Sequence, residues 1–86
     1  MGWAKSIAEG SLPRWLEEHC DKAVQHRCKS SELHAAYVAD MAAESSYDAH
    51  VSLHAFTTAL RLLGYPSARL GGSRVWFGLR LKPAHS

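Results

Sequence analysis

The spacing of apolar residues changes once along this chain, at Gly64, and that change restricts the fold more than any other feature. Before it, Phe56, Ala59, Leu60 and Leu63 recur at helical spacing. After it, Val75, Phe77, Leu79 and Leu81 alternate with Arg74, Trp76, Gly78 and Arg80. A 3.6-residue period marks one buried face of a helix and a period of two marks a half-buried strand. The pair Gly71-Gly72 lies between Tyr65–Leu70 and Arg74–Leu81. Both positions tolerate positive φ, so the segment reads as two strands joined by a tight turn. A two-stranded hairpin is marginal alone in water and has to pack on the helices that precede it. On this alternation Trp76 is expected on the solvent face, with packing on the first helix through Trp15 as the alternative. Pro83 is expected to end the second strand and residues 83–86 to form a tail.

Upstream, Ser11 reads as an N-cap before Pro13, with Leu12, Trp15, Leu16 and Cys20 on one face of a first helix. Residues 21–29 are polar and read as a loop ending in a short strand over 27–29. Ser30 or Ser31 is expected to cap a second helix running to about Ala43, with Leu33, Ala36, Tyr37 and Met41 inward. Residues 44–51 suit a turn. Ser52 then caps a third helix, Leu53 to Leu63, with Gly64 as its stop. Residues 1–10 read as a tail or a short helix, and the domain as 11–82. The expected class is α+β: a winged helix-turn-helix of three helices, a short strand and a C-terminal hairpin wing.

At 86 residues the chain holds one modest core, which argues against a large enclosed active site. It has no phosphate-binding Gly-x-x-x-x-Gly-Lys loop and no paired carboxylates in a pocket, so no enzyme activity is expected. Six histidines and two cysteines raise the question of zinc. However, His19, Cys20, His26 and Cys28 lack the pairings of closed structural sites, and no metal or cofactor is expected. The two cysteines suit reduced thiols. With no signal-like or membrane-spanning apolar run, a cytoplasmic location and no membrane association are expected.

The charges are segregated. All eight acids lie in residues 1–48, with five bases, a balance of −3; residues 49–86 carry Arg61, Arg69, Arg74, Arg80 and Lys82 and no acid, a balance of +5. A surface of one sign attracts a polyanion without repulsion from nearby carboxylates. The third helix places His54, Thr57, Thr58 and Arg61 on its polar face. Duplex DNA is therefore the expected partner. Arg61 offers a fork to guanine, His54, Thr57 and Thr58 reach bases or phosphates, and Ser52 with the first amides of the helix favours a phosphate. Arg69, Ser73 and Arg74 at the wing, and Lys29 before the second helix, add backbone contacts. At each arginine an ordinary solvated side chain is the alternative.

In order, the segments Trp15-Leu16-Glu17-Glu18-His19-Cys20, Ser31-Glu32-Leu33-His34-Ala35-Ala36-Tyr37, Phe56-Thr57-Thr58-Ala59-Leu60-Arg61 with Gly64-Tyr65, and Arg74-Val75-Trp76-Phe77-Gly78-Leu79-Arg80-Leu81 follow one pattern. It resembles the small winged-helix domain at the C-terminal end of phage and plasmid primase-helicases, over about residues 11–82. The primase and helicase parts have no counterpart here. The resemblance implies a nucleic-acid-binding or partner-docking module, either a phage- or plasmid-type regulator or replication accessory factor, or a fragment; Met1 favours the former. The competing expectation is a protein-interaction module without DNA binding, anchored by an exposed Trp76. Trp3 is a candidate homodimer contact, and a replication or regulatory protein is a further candidate partner.

Overall fold

The computed structural model describes residues 3–82. The expectations for Pro83 and for a tail over 83–86 lie outside the described residues. The architecture is α+β: four α-helices and a three-stranded antiparallel sheet among the described residues. The helices are α1 (Trp3–Glu9), α2 (Ser11–His19), α3 (Ser30–Ala43) and α4 (Leu53–Leu62). The strands are β1 (Cys20–Lys29), β2 (Ser67–Leu70) and β3 (Ser73–Leu81), in spatial order β1-β3-β2. One turn of 3-10 helix, Tyr47–His50, lies between α3 and α4.

The helical periods place the core as expected. Leu12, Trp15 and Leu16 of α2, Leu33, Tyr37 and Met41 of α3, and Phe56, Ala59 and Leu60 of α4 are buried in one cluster. Ile7 and Ala8 of α1 join that cluster, so residues 3–9 are a helix packed into the domain. Trp3 packs against the same core, stacks on Tyr47 with centroids 5.3 Å apart and donates from Nε1 to Asp48 Oδ1 at 3.4 Å. The residue expected to make a homodimer contact is thus engaged within its own chain.

Two of the expected caps are placed differently. Ser11 is the first residue of α2, not its cap; its hydroxyl donates to Asp48 Oδ2 at 2.7 Å and lies 2.6 Å from the Tyr37 hydroxyl. With its one proton directed to Asp48, Ser11 accepts from Tyr37. Lys29 occupies the N-cap position of α3 and no side chain caps that helix, because the Ser30 hydroxyl is turned towards Thr57 Oγ1 at 3.3 Å. The third expected cap is found: Ser52 accepts from the Ala55 amide at 3.1 Å.

The segment expected to be a loop, 21–26, belongs to β1. An edge strand has one side and one face open to water, so polar residues are compatible with it. Along β1 only Cys20 and Cys28 are buried. The ladder is interrupted between Lys22↔Leu79 and Arg27↔Phe77, where Ala23, Val24, Gln25 and His26 of β1 face the single residue Gly78 of β3. Gly78 has φ +90°, a conformation that only glycine adopts readily at such a bulge.

The bulge corrects the expected alternation of β3. Passing it shifts the side-chain phase by one, so Trp76 and Leu79, three residues apart, both enter the core with no exposed area. Trp76 is therefore not a surface anchor. Val75 and Phe77 are outside the core cluster, on the opposite face of the middle strand. The turn joining β2 to β3 is Gly71-Gly72, with φ +59° and +84°, as a two-residue type I′ hairpin requires.

Candidate nucleic-acid interface

A cleft of about 310 Å³ opens between the start of α3, one side of α4 and the β2-β3 hairpin. It is lined by Ser30 and Ser31, by Leu53 and Thr57, and by Arg69, Gly72, Ser73 and Arg74. Its position follows from local sequence. Gly71-Gly72 turns the hairpin tightly, and the antiparallel register sets Arg69 directly opposite Arg74. Paired residues of an antiparallel ladder share a face, and the pair Arg69↔Arg74 lies on the same face as the pair Ser67↔Trp76, towards the helices.

The electrostatics of the cleft are one-sided. Like charges placed directly opposite across a ladder disfavour the pairing. The two guanidinium groups nevertheless have only neutral acceptors: Arg74 Nη1 donates to Ser67 Oγ at 2.8 Å, and Arg69 Nη1 to the Gly72 carbonyl at 3.4 Å. Among the described residues the ion pairs are Glu18-His19, His19-Asp40, Glu17-Lys22 and Asp21-Arg80, and none includes Arg61, Arg69 or Arg74. Ser30 and Ser31, the first residues of α3, line the same space, so the partial positive charge of a helix start lies beside it. Glu32 is in the first turn of α3 but does not line the cleft.

Of the expected site residues, the cleft brings together Thr57, Arg69, Ser73 and Arg74. At about 100° per residue, His54, Thr58 and Arg61 form a ridge along α4 away from its buried face, beside the cleft. His54 and Arg61 are exposed. Ser52 is at the start of α4 with its hydroxyl occupied by the Ala55 amide and its carbonyl by the Phe56 amide, leaving the first amides of the helix for a ligand. Lys29 is exposed but belongs to the other side: it pairs with Val75, one residue out of phase with the core pair Cys28↔Trp76. Three lining residues were not anticipated. Ser30 and Ser31 were expected only as caps, and Leu53 only as the start of a helix; the fold, not a local motif, brings them to the hairpin.

The thiols take no part. Cys20 and Cys28 are free and buried, and burial pushes the Cys20 thiol up to about 12 and raises that of Cys28. Such thiols are protonated and poorly nucleophilic at neutral pH. Among the described residues no group of three His, Cys, Asp or Glu side chains could hold a metal ion, and no helix is long and apolar enough to cross a membrane.

No protein-family model matches the chain, and no curated protein matches it significantly.

Proposed function

We propose that the chain is a winged-helix domain that binds duplex DNA. In this reading α2, α3 and α4 are its three helices, α4 is the recognition helix, and β2-β3 is the wing. The strand order β1-β3-β2, with the first strand between two helices and the hairpin last, supports the reading. The observation that carries it is the Arg69-Arg74 pair, two like charges held opposite one another beside α4 without a carboxylate partner among the described residues. A phosphate between or near them relieves that repulsion. The ridge His54, Thr58 and Arg61 would then face base edges in the major groove, with Arg61 as the fork for guanine. A role as a phage- or plasmid-type regulator or replication accessory factor rests on the resemblance described above. The docking alternative has lost its anchor, because Trp76 is buried.

The test is a salt titration of binding to a labelled duplex by fluorescence anisotropy. With Arg69 and Arg74 on phosphates, affinity should fall about 12-fold between roughly 50 and 200 mM salt. Absence of binding at the lowest salt would sink the proposal.

A further inference from the structure

The two faces of the sheet are chemically unlike, and the outer one is unused by the reading above. Beyond the core, β3 presents Val75 and Phe77 on the face away from the helices. Val75 is buried and Phe77 is half-buried, although neither joins the core cluster. Their ladder partners on β1 are Lys29 and Arg27, both exposed, and on β2 the partner of Val75 is Ala68. The face therefore carries an aromatic ring on its middle strand, a small residue on one side and two cations on the other. Neither cation has an acidic partner among the described residues. Asp21, the acid further along β1, is occupied by Arg80 at 3.7 Å.

We propose that this outer face, around Phe77, Arg27 and Lys29, stacks unpaired nucleotides, so that the DNA held in the cleft is a duplex bordered by single strand. The proposal rests on the duplex reading. A partly open aromatic ring on a sheet surface offers a platform to a planar base, and flanking cations hold the phosphates on either side. An intact duplex hides its base faces in its own stack, so this surface suits a strand that has left it. The two surfaces are continuous: Lys29 on the outer face immediately precedes Ser30 and Ser31, which line the cleft. The hairpin also carries cations on the cleft side, at Arg69 and Arg74, so a strand passing from one face to the other stays near positive charge.

Anisotropy with three labelled probes tests this: a blunt duplex, the same duplex with a single-stranded dT arm, and the same arm made of abasic units. The abasic arm keeps the phosphates and removes the bases. The dT arm should be bound about tenfold more tightly than the abasic arm, as stacking of one or two bases implies. Phe77→Leu should abolish that difference while blunt-duplex affinity stays within about twofold. Should Phe77→Leu lower the melting temperature, Arg27→Gln at an exposed position serves instead, with an expected loss of about threefold on the armed probe. Equal binding of dT and abasic arms by the wild-type chain would overturn the proposal. So would a polyglutamate peptide that displaces the dT arm as effectively, charge for charge, as free oligo-dT, which would point to an acidic protein partner. Phe77-dependent binding of oligo-dT without any binding of the blunt duplex would uphold the sheet surface and defeat the duplex reading.

Discussion

Asp48 accepts from Ser11 and Trp3, Asp40 accepts from Trp15 at 2.7 Å and lies 3.7 Å from His19, and both carboxylates tie separate helices of the N-terminal half together. At the other end Arg69 and Arg74, paired across the ladder, bond only to a carbonyl and a hydroxyl of their own hairpin. The net charges of the two halves differ in sign, but the more telling difference is in use. Asp40 and Asp48 are used by the fold, whereas the hairpin arginines bond only within their own hairpin and sit opposite one another in the ladder. Charge that a fold does not use, and keeps at a cost, is charge available to a ligand.

That contrast can be broken or sharpened by substitution, and the largest effect lies where the two halves meet. Trp76 fills the space between the sheet and the helices, with Nε1 lacking any hydrogen-bond partner among the described residues. Trp76→Ala should cost about 3–5 kcal/mol, a fall in melting temperature of at least about 12 °C. Trp76→Phe should cost less than half as much, since it removes the orphaned donor along with the volume. A small effect of Trp76→Ala in calorimetry would restore an exposed tryptophan and the docking alternative with it.

High pH acts on the same core. The Cys20 thiol has its pKa raised from 9.0 to about 12 by burial, with Cys28 raised also. A protonated form favoured in the folded state leaves stability unchanged below pH 9, then removes it as pH climbs from 9 towards 12 and the unfolded thiols ionise. Cys20→Ala and Cys28→Ala together should flatten that decline in urea titrations, whatever their cost at pH 7.

Asp48→Ala comes next, at about 1–2 kcal/mol for the loss of the Ser11 and Trp3 bonds. Duplex affinity should stay within about twofold, because this carboxylate belongs to the N-terminal framework. A gain in affinity of tenfold or more would show that the acidic half repels DNA directly and would blur the contrast between the halves.

The parts of this fold that were legible in the sequence are those set by local periodicity. The buried faces of α2, α3 and α4, the Ser52 cap and the Gly71-Gly72 turn each depend on residues within a few positions of one another. What escaped depends on pairing across the chain. β1 has no alternating signature because it is an edge strand, and its bulge at Ala23–His26 exists only against Gly78. The burial of Trp76 follows from that bulge, since one glycine with positive φ puts the residues before it and those after it out of phase, so that Trp76 and Leu79 share a face. The site divides in the same way. Arg69, Ser73, Arg74 and Thr57 were legible from composition and helical spacing, while Ser30 and Ser31 reach the cleft only through the packing of α3 beside α4.

The smallest changes in stability give the sharpest comparison. Ser52→Ala should cost about 1 kcal/mol through the lost cap of α4, and weaken DNA binding only as far as that helix start frays. Arg74→Ala should change stability by less than about 0.5 kcal/mol, since the Ser67 bond it loses is offset by relief of the repulsion with Arg69. Its salt slope for duplex binding should fall by about 0.9 for the phosphate contact removed. Arg74→Glu carries the argument to its end. It converts the cross-strand repulsion into an attraction with Arg69, so the domain should gain about 0.2–1 kcal/mol, while duplex binding is lost. Stability and binding moving in opposite directions at one residue is the behaviour of a group retained for a ligand. If Arg74→Glu lowered the melting temperature as well, Arg74 would be part of the framework through Ser67, and the cleft would lose its claim to an anion.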